Sequence, residues 1–309
     1  MTGGTLRVGT RGSALALAQS GALAATLISE HGRHVELVSV QTEGDLNPAA
    51  VAQMGATGVF VTAVRDALLA GDVDLAVHSY KDLPTAPADG LTLAAVPRRE
   101  DPRDVLVARQ GLTLAELPTG ARVGTGSPRR AAQLRALGLG LEVVAVRGNV
   151  DTRMGKVAAG DLDAVVLARA GLARLGLLAE ATEVLDPLQM LPAPAQGALA
   201  VECRADDAAL RDLLGLLDDP DSRAATTAER SLLAALEGGC SAPVGALADV
   251  VEGDDGAEIY LRGLVAALDG TQAVRLSATG PMSGPEEVGQ RLAAELLDLG
   301  AADLMGDMT

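Results

Sequence analysis

The chain has 309 residues, and 48% of them are hydrophobic, which is enough for two or three domains that each bury a core. Its net charge of −16 argues against nucleic acid as a partner, and one phenylalanine and two tyrosines are too few for a base-stacking surface. No apolar run approaches the ~20 residues of a membrane-spanning helix.

Two cysteines, Cys203 and Cys240, are too few for a disulfide framework in a chain of this length. We expect both to be free thiols in a reducing, cytoplasmic compartment, with a structural disulfide between them as the less favoured alternative. The first residues lack the charged-then-apolar layout of a secretory signal, so we expect no export.

Valine-rich runs alternate with helical patterns, which predicts α/β domains with mainly parallel sheets. Predicted strands lie at 6–10, 35–40, 73–79, 91–96, 104–109, 121–125, 141–146, 162–168 and 198–204. Predicted helices lie at 14–30, 59–71, 128–137 and 150–159. The two successive series predict two sheet domains. The tail predicts a third, α+β domain, with helices at 206–218, 222–237 and 285–299 and strands at 257–268 and 272–279.

The segment AVHSYKDLP places His78, Ser79, Lys81 and Asp82 at the end of a predicted strand, before Pro84 ends it. Ligands of open α/β sheets bind beyond the carboxyl ends of the strands, so this segment is a candidate site. An ordinary polar turn is the alternative for this motif taken alone.

The segment GTGSPRR joins a predicted strand to a helix that begins at Pro128 after Ser127. Its two glycines would let a ligand approach the backbone, and the N–H groups of the helix N-terminus attract anions. Arg129 and Arg130 add guanidiniums that bind carboxylates in pairs of hydrogen bonds. The spacing is not that of a Walker loop, and a capped surface helix with solvated arginines is the alternative.

Arginines stand at two further strand-to-helix turns. Arg11 lies in GTRGS, and Arg147 lies in VRGNVDTR, which ends at Arg153. Convergence on one polyanion explains the three turns better than separate solvation does. The residues alone therefore predict an arginine-lined cleft between two α/β domains that binds a multiply carboxylated or phosphorylated molecule.

The segment LEGGCSAPVG sets Cys240 on a glycine-rich turn, where its thiol can be reached. A reachable thiolate can add to an electrophile. Cys203 lies in an apolar strand and is interpreted as a core residue.

Eight segments, taken together and in this order, resemble the signature segments of the porphobilinogen deaminase (hydroxymethylbilane synthase) family. They are GTRGSALALAQ, GVF, AVHSYKDLP, GTGSPRRAAQL, VRGNVDTR, LARAGLARLG, QGALAVECR and LEGGCSAPVG. The resemblance runs from about residue 5 to residue 245. No single segment is specific, whereas the ordered set is.

The resemblance implies a transferase of tetrapyrrole (haem) biosynthesis. It would condense four porphobilinogen molecules head to tail onto a dipyrromethane cofactor and release ammonia and hydroxymethylbilane. The cofactor would be held by a thioether to Cys240. The resemblance further implies a cytoplasmic monomer with porphobilinogen as its small-molecule partner, without a metal and without nucleic-acid or membrane partners.

The resemblance assigns catalysis to Asp82, which would stabilise the azafulvene cation left by ammonia and move protons. The implied cofactor-binding residues are Ser79, Lys81, Asp82, Thr125, Ser127, Arg129, Arg130, Arg147 and Cys240. The implied substrate-binding residues are Arg11, Ser13, Gln19, Arg147, Arg153 and Arg174.

The resemblance implies two periplasmic-binding-protein-like α/β domains with an active-site cleft between them and a smaller C-terminal α+β domain. The expected bounds are 1–97 with 196–215 for domain 1, 98–195 for domain 2 and 216–309 for domain 3, which carries Cys240.

The chain departs from the family pattern in the loop QMGATGVF, where Gln53 and Thr57 replace two lysines. This places the anion contacts of the loop in doubt, but not the reaction. Two rival functions stay open at this point. A two-domain anion-binding protein would need neither Asp82 nor Cys240, and an inactive relative would keep the fold without turnover.

Overall fold

The structure, a computed structural model, describes residues 4–40, 56–237, 242–253 and 256–305, with the side chains of 56–60 left aside. Its strands are β1 (Leu6–Thr10), β2 (Val35–Ser39), β3 (Leu75–Ser79), β4 (Leu91–Ala95), β5 (Asp104–Ala108), β6 (Arg122–Thr125), β7 (Glu142–Ala145), β8 (Ala164–Ala168), β9 (Glu183–Val184), β10 (Leu199–Arg204), β11 (Val244–Gly253), β12 (Gly256–Ala266) and β13 (Ala273–Pro281). Its α-helices are α1 (Ala14–Ser29), α2 (Ala56–Ala70), α3 (Pro128–Ala136), α4 (Val150–Ala158), α5 (Arg169–Arg174), α6 (Ala208–Gly215), α7 (Pro220–Ala235), α8 (Pro285–Asp298) and α9 (Ala301–Met305).

The chain divides into two compact units. Unit 1 comprises Met1–Arg99 with Ala198–Arg223, and unit 2 comprises Glu100–Gly197 with Ala224–Thr309. Unit 1 holds one five-stranded sheet, whereas unit 2 holds a five-stranded and a three-stranded sheet. The division into three domains stays a prediction, although the smaller C-terminal domain is present as the three-stranded sheet with its helices.

The two five-stranded sheets are built in the same way. Their strand orders are β2-β1-β3-β10-β4 and β7-β6-β8-β5-β9. In each sheet the first three strands are parallel, and the fourth runs antiparallel to both of its neighbours. The prediction of α/β domains is confirmed, but the sheets predicted to be mainly parallel each contain one antiparallel strand, which the alternation along the sequence does not reveal.

Strand β11 lies outside the predicted strands. Its sequence, VGALADVVEG, mixes alanine and acidic residues with valine, so local propensity does not favour a strand clearly. It pairs with β12 without a break, from Val244 opposite Val265 to Gly253 opposite Gly256. Tertiary pairing, rather than propensity, therefore fixes this element.

The first helix begins where its sequence predicts. The Ser13 hydroxyl accepts a hydrogen bond from the Ala16 N–H at 3.3 Å, which caps α1. The buried face of α1 includes Leu23 and Leu27, which pack with Val8 and Leu75 of the sheet in the core of unit 1. This packing fixes the start of α1 beside the carboxyl end of β1.

Unit 2 joins its two sheets through a shared apolar cluster formed by Ala132, Leu191, Leu247, Leu264 and Ala266. Among the residues that the structure describes, no helix is long and apolar enough to cross a membrane.

Candidate active site

Unit 1 carries a polar pocket at the carboxyl ends of β1 and β3. These strands are parallel, so the residues that follow them lie at one edge of the sheet. The pocket encloses about 90 Å³. It is lined by Arg11, Ser13, Gln19, His78, Ser79 and Asp82 and by the apolar Leu15, Ala16, Val61, Val64 and Val77. The fold thus brings together the motifs GTRGS and AVHSYKDLP.

Asp82 occupies a short 3-10 turn, Tyr80–Asp82, directly after β3. The Tyr80 N–H donates to the Ala198 carbonyl at 3.0 Å, and the Leu83 N–H donates back to the Tyr80 carbonyl at 3.2 Å. Both bonds hold the turn at the end of the sheet. Among the described residues that line this pocket, Asp82 is the one carboxylate. Lys81, which precedes it, is half-buried.

His78 is a pocket residue that the sequence analysis leaves without a role. Its Nε2 lies 3.2 Å from Glu202 Oε2, and Arg65 donates to both Glu202 oxygens at 2.9 and 2.7 Å. Burial raises the pKa of Glu202, but His78 and Arg65 outweigh it and lower that pKa to about 2. A largely buried Arg65–Glu202 ion pair with His78 against it, the Arg65–Glu202–His78 cluster, therefore stands behind the pocket. The sequence feature that could have pointed to His78 is its position beside Ser79 in the same motif.

Unit 2 carries its candidate residues at the corresponding edge of its own sheet. Strands β6, β7 and β8 run parallel, and the segments that follow them hold the candidate side chains. These are Thr125 at the end of β6, Ser127, Arg129 and Arg130 after it, Arg147 and Arg153 after β7, and Arg174 after β8. The Ser127 hydroxyl caps α3 by accepting from the Arg130 N–H at 3.4 Å, as the sequence predicts.

Arg129 and Arg130 are almost fully buried and share one carboxylate. Arg129 Nη2 donates to Asp104 Oδ2 and Arg130 Nη2 to Asp104 Oδ1, both at 2.8 Å. Arg129 Nε and Arg130 Nε are buried and donate to none of the described residues. Asp104 is not among the predicted site residues, and the one sequence feature that points to it is a lone acid at the start of an otherwise apolar strand.

Arg153 lies over the loop between β6 and α3. A Cβ placed on Gly126 would come 3.7 Å from Arg153 Nη2 and 2.5 Å from the Val146 carbonyl, so only glycine fits there. Burial, and then the charge of Arg130, lower the pKa of Arg153. The group that approaches Gly126 closely is therefore the protein's own Val146 carbonyl.

Arg174 and Arg147 complete the edge in different ways. Arg174 Nη2 donates to the Gly197 carbonyl at 2.6 Å, and burial lowers the pKa of Arg174. Arg147 is exposed. This edge thus holds five guanidiniums but one fully buried carboxylate among the described residues around them, that of Asp104. Because positive charge is in excess there, the edge suits a ligand with several carboxylates.

Several predicted positions lie outside the described residues: Cys240, Gln53 and the side chain of Thr57. Cys203 is a fully buried free thiol, and burial raises its pKa to about 11, which makes it a poor nucleophile. Over the described ranges, no cluster of His, Cys, Asp and Glu has the geometry to hold a metal ion.

Two family models match the chain. One is described as "Porphobilinogen deaminase, dipyromethane cofactor binding domain" and matches residues 6–212, and the other as "Porphobilinogen deaminase, C-terminal domain" and matches residues 224–298. Porphobilinogen deaminase of Mycobacterium bovis (strain BCG / Pasteur 1173P2) is 61% identical over 305 residues, covering 97% of this chain and 98% of that protein. The Nocardia farcinica enzyme of the same name is 59% identical over 309 residues, covering 98% of this chain and 89% of that protein.

Among solved structures, the chain is similar to an ABC transporter periplasmic substrate-binding protein from Coxiella burnetii. The TM-score is 0.44 at 16% sequence identity, and the similarity covers 71% of this chain and 94% of that protein.

Proposed function

The chain belongs to the porphobilinogen deaminase family, and we propose that the side chains at its two sheet edges divide the work of the family's reaction. The protein is a transferase of tetrapyrrole biosynthesis that condenses porphobilinogen stepwise onto a covalent dipyrromethane cofactor and releases ammonia and hydroxymethylbilane. The main support for this division of the reaction between the two sheet edges is the position of Asp82. It is the one carboxylate among the described residues that line the unit 1 pocket, at the carboxyl end of β3.

Asp82 is the proposed catalytic residue. When ammonia leaves porphobilinogen, the C–N bond breaks and a positive charge spreads over the remaining pyrrole and its methylene carbon. A carboxylate at the pyrrole N–H stabilises that charge and then carries away the proton released when the new C–C bond forms. Arg11, Ser13 and Gln19, which line the same pocket, would bind the acetate and propionate groups of the substrate.

The arginine edge of unit 2 is the proposed cofactor site. Each pyrrole of the dipyrromethane group carries two carboxylates, and the guanidiniums at this edge outnumber the one buried carboxylate beside them. The buried Nε atoms of Arg129 and Arg130 add donors that no described residue uses. Thr125, Ser127 and Arg147 would add further hydrogen bonds, and Arg147, Arg153 and Arg174 would bind substrate units. The cofactor contacts that the resemblance implies for Ser79 and Lys81 stay predictions. When bound, the group supplies the pyrrole carbon to which the first substrate unit is joined.

Cys240 is the proposed point of attachment. Its thiolate would form a C–S bond to the methylene carbon of a pyrrole as the C–N bond to the departing ammonia breaks. The two residues before it in the sequence are glycines, which have no side chains that would crowd a tethered group. The alternative thiol, Cys203, is fully buried within β10.

A cytoplasmic monomer, without nucleic-acid or membrane partners, remains part of the proposal. The scarcity of cysteine and the free thiol of Cys203 support a reducing compartment. The three-domain division 1–97 with 196–215, 98–195 and 216–309 is proposed as well, with Cys240 in the third domain.

The direct test is an assay of the purified protein with porphobilinogen as the only substrate. Loss of porphobilinogen should be matched by an equal release of ammonia and by formation of hydroxymethylbilane. Reversible binding of porphobilinogen without ammonia release would refute the catalytic proposal and favour a binding protein.

A further inference from the structure

Asp104 connects three separate parts of unit 2. It is the first residue of β5 and is fully buried. Its carboxylate accepts 2.8 Å hydrogen bonds from Arg129, Arg130 and Gln196, of which the first two begin α3 and the third precedes Gly197. Burial raises the pKa of Asp104, but Arg129 and Arg130 outweigh it and hold that pKa well below its usual range. The carboxylate is therefore charged at neutral pH.

The two guanidiniums are held in a fixed orientation. Each gives its Nη2 to Asp104 and its Nη1 to a backbone carbonyl, that of Leu191 for Arg129 and that of Val166 for Arg130. A planar guanidinium with two directed bonds on different nitrogens cannot rotate. The Nε atoms of both arginines stay outside these bonds.

The cluster carries an excess of positive charge. Two buried arginines share one carboxylate, and Arg153 lies close enough to Arg130 for the two charges to repel. Without Asp104, two guanidiniums that are each about 95% buried would repel one another with nothing between them.

We propose that Asp104 is a positioning residue for cofactor binding: it orients Arg129 and Arg130 so that they present ordered donors to the carboxylates of the dipyrromethane group. The inference rests on the proposed function, because the ligand of this edge is the cofactor. Asp104 acts through the two arginines and does not touch the cofactor itself.

Net charge and side-chain orientation predict opposite effects of Asp104→Asn on the affinity for a polycarboxylate. Asp104→Asn keeps the shape of the side chain and removes a negative charge beside an anion site. If only net charge mattered, the variant would bind a polycarboxylate more tightly. If orientation matters, the variant binds it more weakly, because an amide offers one acceptor oxygen in place of two and the arginines separate.

The test is loading of the full-length apoprotein with porphobilinogen, followed by intact mass as the fraction that gains the covalent group. Asp104→Asn should raise the porphobilinogen concentration for half-maximal loading about tenfold, which corresponds to one bidentate contact. The matched control, Asp161→Asn, removes an exposed acid at the opposite edge of the same sheet and should load like the native chain. Half-maximal loading of Asp104→Asn at or below the native concentration overturns the inference.

A second variant keeps the inference testable if Asp104→Asn does not fold, as judged by circular dichroism and cooperative unfolding. Gln196→Leu removes the third hydrogen bond to Asp104 and also the Oε1 atom that accepts from Arg130 Nη2 at 3.4 Å, and it leaves both ion pairs. It should raise the half-maximal concentration about threefold with the maximal loading rate unchanged. A native half-maximal concentration in this folded variant overturns the inference. Failure of the native apoprotein to load at all would instead refute the proposed function.

Discussion

Gln19 and Ser79 are joined side chain to side chain: Gln19 Nε2 donates to Ser79 Oγ at 2.9 Å. The two residues are 60 positions apart in the chain, one on α1 and the other at the end of β3. Gln19 is buried, so its amide has no freedom to turn away. Both residues line the pocket that holds Asp82, and the bond between them fixes the wall against which a substrate would lie.

Replacement of Asp82 by asparagine should nearly abolish turnover and leave the fold intact. The amide keeps the size of the carboxylate but can neither carry the proton nor neutralise the cation, so we expect kcat to fall by about 10²–10⁴-fold. The measurement is porphobilinogen consumption, with circular dichroism as the check on folding. Asp89→Asn, an exposed acid farther along the same connection, is the matched control and should keep native turnover. Near-native kcat for Asp82→Asn would remove Asp82 from the mechanism.

The two cysteines should behave in opposite ways. Cys240→Ser should yield folded protein that never gains the covalent group, because a hydroxyl is far less nucleophilic than a thiolate at neutral pH. Cys203→Ala should load normally, since burial raises the pKa of that thiol to about 11 and keeps it unreactive. Intact mass after incubation with porphobilinogen distinguishes the two variants. A loaded Cys240→Ser protein would place the attachment elsewhere.

Glu202 should make the stability of the protein depend on acid pH. Its pKa is lowered from 4.5 to about 2 in the folded protein, which corresponds to about 3 kcal/mol. That contribution is complete above pH 4.5, where the unfolded chain also ionises, and is lost as the pH falls from 4.5 towards 2. Urea unfolding between pH 6 and pH 3 should therefore show a difference between the native chain and Glu202→Gln that shrinks on acidification. A difference that stays constant over this range would contradict the role given to the Arg65–Glu202–His78 cluster.

Arg147 should contribute to anion binding through charge that salt can screen. It is exposed at the carboxyl edge of the unit 2 sheet, so Arg147→Ala should raise KM for porphobilinogen about threefold to tenfold, with a smaller effect at high salt. Arg109→Ala is the matched control. Arg109 is also exposed but follows β5, which runs antiparallel to β8 and ends at the opposite edge. Equal effects of the two substitutions would show that only the net charge of the protein matters.

Much of the fold could be predicted from local sequence patterns. The helices predicted to begin at residue 14 and at Pro128 do begin there, and the predicted strands of both α/β series are present, with ends that differ by no more than two residues. The pairing of β10 with β3 and β4 could not be predicted, because it joins residues more than 100 positions apart and depends on tertiary contacts. Strand β11 was missed for a different reason: its own composition does not favour a strand, and its pairing with the adjacent β12 fixes it.

The parts of the candidate site that lie in recognisable sequence motifs could be predicted. The segments that carry Arg11 and Asp82 do meet at one pocket. Their buried partners were not predictable, because Glu202 and Asp104 each look like an isolated acid within an apolar strand. Only the folded chain brings Arg65 and His78 to one of them and Arg129 and Arg130 to the other.

The central claim is that an oligopyrrole grows on a group tethered to this chain, and the intact mass of the native protein tests it most directly. The purified protein should exceed the mass of its sequence by two pyrrole units. Brief exposure to limiting porphobilinogen should add a ladder of species that differ by single pyrrole units. A mass equal to that of the sequence alone, unchanged by porphobilinogen, would contradict the account.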